Sequence, residues 1–307
     1  MRKTVGLGIG AILLLVLVGI YALSFFNKGQ TIALSDAVIK TVKVDVSSAD
    51  VFIETTSTGH VEVETTETRS SKFIIHENPA NTLTIREQTT GFFSWISFGN
   101  VPEVHIRLPK EQYDALQVEA SSGDVALKNV AATSIHVKTS SGDIEGDDLT
   151  AKNYDFKASS GDMALDQLGK IAKEATFRAS SGELSLDTLT TDALFVERTS
   201  GDVSMDDIAL GSGKSVVKTS SGDIDITPMF SDETTLSLES SSGDQTFDNQ
   251  QNNAFNFTIQ TSSGDIRVPS NYDLTTNTDN KAVGTTPTAA PNTVSITASS
   301  GDIKITD

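Results

Sequence analysis

Along most of the chain large apolar and polar residues alternate with a period of two, and one phrase, Ser-Ser-Gly-Asp, punctuates the alternation. It stands at residues 121–124, 140–143, 159–162, 220–223, 241–244, 262–265 and 299–302, with variants at 180–183 and 199–202 and a degenerate Ser47-Ser48-Ala49-Asp50. Counting back from the glycine, the seventh and fifth residues are mostly large and apolar, the third is small and the first is Ser. Leu116, Val118, Ala120 and Ser122 show this, as do Tyr154, Phe156, Ala158 and Ser160. Such a period puts these side chains on one face of a strand, with Gln117, Glu119 and Lys157 turned to solvent. After the glycine, the second and fourth positions are apolar again (Val125 and Leu127, Met163 and Leu165, Ile224 and Ile226), and the seventh often is (Val130, Leu149, Leu168, Leu189, Ile208).

From Gly123 to Gly264 the marker glycines recur every 19 to 21 residues, a period at which one structural unit stacks on the next. Each unit reads as a strand, a glycine corner, a shorter strand, a polar turn and a return. The expectation is an all-β, single-stranded β-solenoid of about nine or ten coils, a rod of roughly 40 to 50 Å, preceded by one N-terminal transmembrane helix. Residues 39–307 form the solenoid: irregular first coils at 39–115, regular coils at 116–268, a Thr-, Asn- and Pro-rich surface loop at 269–293 and a last coil at 294–307. A separate small β domain is the alternative for the irregular part.

Residues 5–26 are an uninterrupted apolar run behind Arg2 and Lys3, long enough to cross a hydrocarbon core of roughly 30 Å as a helix. A cleaved signal peptide is the competing assignment, with a shorter apolar centre and a small-residue cleavage site. Length and flanks favour an anchor, with residues 1–4 cytoplasmic, 27–38 a tether and the rod outside the cell membrane as a single-pass protein. The chain carries 23 Lys and Arg against 41 Asp and Glu, a net charge of -18. No basic stripe is visible along it, so nucleic acid and anionic headgroups are poor partners. The absence of cysteine removes disulfides, thiolate chemistry and zinc-thiolate sites.

The repeated acids Asp124, Asp143, Asp162, Glu183, Asp202, Asp223, Asp244, Asp265 and Asp302 follow Gly123, Gly142, Gly161, Gly182, Gly201, Gly222, Gly243, Gly264 and Gly301. Stacked in register they would repel by about 1 kcal/mol per pair in water and more at lower dielectric. A calcium ladder would need six to eight oxygens per ion, and the known calcium-loop spacings are absent. Structural turns, with each Asp bonding its own turn amides and Ser hydroxyls serving the inner side, account for every copy. Chemistry that happens once should break the repeat. Arg198 stands where other coils have Ala, Thr or Ser; it needs an acidic partner if inward, or a bulge that turns it out. Gln245 replaces an aliphatic residue. Residues 91–99 hold Phe92, Phe93, Trp95 and Phe98, either an exposed binding patch or a hydrophobic cap on the rod. His60, His76, His105 and His136 lack metal-ligand spacing; no catalytic residue, cofactor or metal is expected.

The segment Val104-His105-Ile106-Arg107-Leu108-Pro109, followed by Tyr113 to Leu116 and the iterated Ser-Gly-Asp, resembles the adhesin-type family with β-strand repeats, a domain of unknown function. Together with the N-terminal run, the layout is similar to the LiaG type of membrane-anchored protein found beside a cell-envelope stress system in Gram-positive bacteria. The resemblance implies a right-handed β-solenoid at the cell surface, with a role in adhesion or envelope stress and no catalytic residues to carry over. A non-enzymatic binding scaffold for a cell-envelope component or surface protein is therefore expected. A wall-polysaccharide hydrolase or lyase and an inert spacer are the alternatives.

Overall fold

A computed structural model describes residues 30–35, 38–68, 70–78, 80–89, 101–231, 233–288 and 291–307. The described strands belong to one 25-stranded sheet. Two columns of parallel strands carry the repeat. The approach strands, before each corner, stack in the order Thr41–Val46, Tyr113–Ala120, Ala132–Thr139, Asn153–Ser160, Met163–Ser181, Leu184–Ser200, Lys214–Ser221, Thr235–Ser242, Thr293–Ser300 and Asn256–Thr261. The exit strands, such as Val125–Lys128, Ile144–Thr150, Val203–Leu210 and Ile224–Phe230, form the second column beside them. Met163–Ser181 and Leu184–Ser200 run through both columns, exiting one coil and approaching the next corner without a break.

The predicted inward positions are the core. Leu116, Val118, Val125, Leu127, Tyr154, Phe156, Met163, Leu165 and Leu168 are all buried. Because coils align residue for residue, like side chains meet: Phe156 lies over Phe177 with ring centroids 5.7 Å apart. The serine before the glycine does not join this face; Ser122, Ser160 and Ser263 are exposed, because the chain has already begun to turn at the corner.

The corner explains the glycine. A Cβ on Gly182 would sit 2.2 Å from the carbonyl oxygen of Gly161, and one on Gly142 would sit 2.0 Å from that of Gly123. The same collision recurs from Gly123 to Gly264, so the corners touch backbone to backbone and no side chain fits between them. From Gly161 onward each also has a positive φ, +101° at Gly182. A second corner follows six residues later, where Asn129, Asp148, Gln167, Thr188 and Asp207 take left-handed φ of 50° to 59°.

Both ends depart from serial stacking. At the C-terminal end the chain's last coil, Thr293–Ser300 with Ile303–Thr306, lies between Thr235–Ser242 and Asn256–Thr261. At the other end, Thr41–Val46 lies between Thr82–Thr89 and Tyr113–Ala120, and Asp50–Thr56 between Glu103–Pro109 and Val125–Lys128. The first and last repeat coils are thus each clamped by a coil from the far side of an excursion, and the described strands between residues 41 and 109 pair into the same sheet as the rest. Antiparallel hairpins close the ends: Ser71–Asn78 on Thr82–Thr89, and Asp273–Thr278 with Lys281–Thr285 on Asn256–Thr261. The segment expected as a surface loop therefore supplies a hairpin that covers Asn256–Thr261 and moves the sheet edge out to the polar, exposed strand Asp273–Thr278. An aromatic cluster of Phe230, Phe247, Phe255, Phe257 and Tyr272 fills the core beneath it. Among the described residues no helix is long and apolar enough to cross a membrane, and residues 5–26 lie outside them.

Two outcomes follow. Gly182→Ala should destabilise the chain by about 3 kcal/mol or more, measured by urea unfolding, because the colliding atom is backbone and cannot swing away. Ala49→Gly, at the same register but facing the outermost coil, should cost no more than about 1 kcal/mol. Deleting residues 293–307 should release the coil Asn256–Thr261 as well, so that proteolysis trims the chain back toward Asp248; trimming confined to the last coil would contradict the interleaved order.

Candidate functional site

The acids after the corners form a hydrogen-bonded column, but not by closing their own turns. The Asp143 amide donates to Asp124 Oδ1 at 2.9 Å, that of Asp162 to Asp143 Oδ1 at 2.8 Å and that of Glu183 to Asp162 Oδ1 at 2.8 Å. The column resumes with Asp223 to Asp202, Asp244 to Asp223, Asp302 to Asp244 and Asp265 to Asp302, at 2.7 to 2.9 Å. Every carboxylate of these two runs except the last of each, Glu183 and Asp265, accepts an amide from the next coil, and that charge-assisted bond offsets the repulsion along the column. Asp50 starts the column under the Asp124 amide; burial, helped by the charges of Asp124 and Glu103, pushes its carboxyl up despite that bond. Among the described residues no cluster of His, Asp and Glu could hold a metal ion.

The column is interrupted once, between Glu183 and Asp202, and Arg198 stands beside that gap. No bulge turns Arg198 outward: it pairs in register with Ala179 and Thr219 and is 2% exposed. Its Nη2 donates to the carbonyl of Gly182, the corner of the preceding coil, whereas Thr139 Oγ1 in the equivalent slot donates to its own corner at Gly142; Arg198 Nε is buried with no partner. Burial works against the guanidinium charge and prevails over the carboxylates of Asp162 and Glu183, which favour it. Gln245 is likewise inward, donating from Nε2 to Ser240 Oγ at 2.9 Å and to the Thr297 carbonyl at 2.7 Å.

Arg198 lies against an open groove of about 360 Å³ on the outer face of the approach strands. Its walls are the outward residues two and four before the glycine, brought together by the stacking. Lys138, Lys157, Arg178, Glu197 and Lys218 align in one column, with Ser159, Ser180, Thr199 and Ser220 beside them. Four outward cations, Lys138, Lys157, Arg178 and Lys218, face one carboxylate, Glu197, in that lining, while the Arg198 side chain points inward. Glu119 continues the column on one side and Glu239 on the other, so the positive tract is bounded by acids. Asp155 contacts His136 and Lys157 at 3.0 Å and Arg178 at 3.8 Å; Arg178 also reaches Glu197 at 3.7 Å and stacks over Phe195. Lys138 has no ion pair among the described residues. A basic stripe therefore exists locally, contrary to the sequence expectation, because its members are separated by whole coils. Phe92, Phe93, Trp95 and Phe98 lie outside the described residues.

At the far end, the corner amides of Ser47, Ser48 and Ala49 all point at one carboxylate. Glu87 Oε2 accepts them at 2.6, 2.7 and 3.2 Å, and Oε1 accepts the Ser48 hydroxyl at 2.7 Å. In the interior the equivalent serine amides reach the preceding coil's carbonyls, as Ser141 does to Ser121 at 2.9 Å. Glu87, on the strand Thr82–Thr89 that stacks on this coil, thus takes the place of those carbonyls. Burial raises its carboxyl, but the Ser48 amide, the Ser71 and Ser48 hydroxyls and the Ser47 amide together outweigh it and hold the group below its ordinary value.

The family profile described as Toastrack DUF4097 matches residues 39–248 and 170–306. Among curated proteins none matches the chain. Solved structures similar to it include a candidate adhesin of Parabacteroides merdae, 13% identical over 91% of this chain and 98% of that one, with a TM-score of 0.46. A candidate lipid-binding protein of Parabacteroides distasonis is 15% identical over 91% and 98%, with a TM-score of 0.49. A candidate cell adhesion protein of Clostridium sporogenes is 11% identical over 90% and 98%, with a TM-score of 0.24.

A group held below its ordinary pKa stabilises the fold above its unfolded value, and that stabilisation is lost as pH falls through the folded value. Glu87→Gln should therefore lower stability by about 1 to 2 kcal/mol above about pH 5, and the difference from the parent should shrink toward pH 3. Urea unfolding of both proteins from pH 7 to pH 3 checks this; a pH-independent difference would rule out the carboxylate as the end cap.

Proposed function

The chain belongs to the Toastrack family, and from that premise we propose that it is a non-enzymatic, membrane-tethered extracytoplasmic scaffold of adhesin type that binds a component of the cell envelope. One observation supports this reading above the others. The approach strands align in register, so their outer face presents side chains in straight columns at a spacing of about 4.8 Å along the rod. Such a face matches a ligand that is itself extended, and each added coil extends the contact without new architecture.

The tether is the apolar run at residues 5–26, whose length and basic flank suit a helix crossing the bilayer with the rod outside. The envelope-stress role rests on the LiaG-type layout, and the cell membrane of a Gram-positive type surface is the location it implies. Within this reading the aromatic residues Phe92, Phe93, Trp95 and Phe98 are a second contact surface, available to a surface protein or to the membrane interface.

Full-length protein in detergent, incubated with purified peptidoglycan carrying its wall polymers, should bind saturably and release no soluble fragments. Turnover that one acid-to-amide change abolishes would replace the scaffold with a polysaccharide-active enzyme. No binding to any envelope fraction would leave a spacer.

A further inference from the structure

The strand nearest the N-terminus sets the geometry of the tether. Residues 30–35 fall within the stretch that reads as a tether in the sequence, yet Gln30–Ser35 is a strand of the sheet, antiparallel to Val61–Thr66. Val61–Thr66 pairs in turn with Glu103–Pro109. Gln30 therefore lies across from Thr66 and Thr66 across from Glu103, two strand spacings or about 10 Å in all. Residues 27–29 are all that separate this strand from the apolar run at 5–26. As a helix that run is about 33 Å long, so crossing a hydrocarbon core of about 30 Å uses its whole length. The chain from Phe26 to Gln30 reaches at most about 14 Å, and the headgroup layer takes up about 5 to 8 Å of that. With the run across the bilayer, this end of the rod is held at the lipid surface and not on a long leash.

The same end carries an independent signal. Four large hydrophobic residues stand exposed among the described residues, and three of them, Val38, Ile74 and Val101, belong to this end. Ile74 is on the edge strand Ser71–Asn78, and Val38 is two residues from Lys40, whose amide bonds the Asn81 carbonyl in the turn of that hairpin. Val101 lies two residues before Glu103, at the corner where Gln30 begins. Leu274, the fourth, is on the opposite edge strand, thirteen strand pairings or about 60 Å away. Residues 88–103 fill the interval between Glu87 and Val104 that the next coil spans with Ser47-Ser48-Ala49-Asp50. That longer stretch holds the only Trp and three of the 14 Phe, a composition suited to the headgroup boundary. The rest of the rod, in a chain of net charge -18, gains nothing by lying along anionic headgroups.

We propose that this end of the rod, with Val101 and Ile74 at its rim, seats in the headgroup layer of the bilayer that the chain's own apolar run crosses, so that the rod stands end-on. The hairpin Asp273–Thr278 with Lys281–Thr285 then points away from the membrane, and the outer strand faces between the two ends stay free for a ligand. The proposal deepens the tethered-scaffold reading, rests on it for the anchor, and gives it an orientation.

The chain has no cysteine, so a single introduced thiol reports on one position. Full-length Val101→Cys, Ile74→Cys and Leu274→Cys, each carrying a polarity-sensitive fluorophore, are reconstituted into phosphatidylcholine vesicles with and without nitroxide-labelled headgroups. All three positions are exposed, so the variants should melt with the parent; if Val101→Cys does not fold, Ile74→Cys decides. The labels on Val101→Cys and Ile74→Cys should shift to shorter wavelength and lose most of their emission to the nitroxide, while that on Leu274→Cys keeps its own. Equal quenching of Val101→Cys and Leu274→Cys, or no quenching of Val101→Cys in protein that floats with the vesicles, would overturn the end-on seating and leave the anchor standing. Protein that does not float with the vesicles would remove the anchor and this proposal together. Disulfide crosslinking of unlabelled Val101→Cys between copies, without headgroup quenching of the labelled protein, would assign this end to a second copy of the chain and overturn the lipid contact.

Discussion

The closest constraint in this fold is the contact of one corner with the next, where a glycine faces the carbonyl of the glycine below it with no room for a single added carbon. Everything else in the rod is consistent with that spacing. Strand pairs in both columns run in register because the corners fix where each coil sits on its neighbour. Like side chains then fall into vertical columns: aromatics over aromatics, aliphatics over aliphatics, acids over acids. The acid column tolerates its own repulsion because every carboxylate but Glu183 and the terminal Asp265 receives an amide from the next coil.

A stack built by one repeated contact has no natural place to stop, and the two ends show how the chain stops it. At each end the terminal repeat coil is inserted one level inward, under a coil that precedes or follows it in sequence. The outermost levels are therefore held through the chain's own connectivity as well as by pairing. Glu87 caps the three corner amides at one end, and a hairpin over an aromatic cluster covers the other. These devices belong to an edge-protection problem common to all open sheets.

Much of the interior was legible because a period of two and a fixed glycine interval are local signals. Leu116, Val118, Val125 and Leu127 could be assigned inward from spacing alone, and the structure has them buried. What depends on contact between coils was not legible. The 37-residue interval from Gly264 to Gly301 carries no sign that the later coil sits beneath the earlier one. Nor does a single repeat reveal that Asp124 bonds the amide of Asp143 and not its own turn. The left-handed corner at Asn129, Asp148, Gln167, Thr188 and Asp207 shares a backbone angle without sharing a residue type. Lys138, Lys157 and Arg178 look scattered in a line of text and become a column only when the coils stack. Arg198 was visible as a break in the repeat; its inward course follows from the unbroken register on both sides.

Irregularities are laid over this regular frame: a short cationic tract and one buried guanidinium on a strongly acidic rod. The frame itself is best tested at the acid column. Site-resolved hydrogen exchange of the backbone amides of Asp143, Asp162, Asp223 and Asp244 should give strong protection, although these residues are exposed, because each amide is tied to a carboxylate of the neighbouring coil. Exchange at the rate of an open turn would mean that the corners do not pile on one another, and the stacked architecture would fall with them.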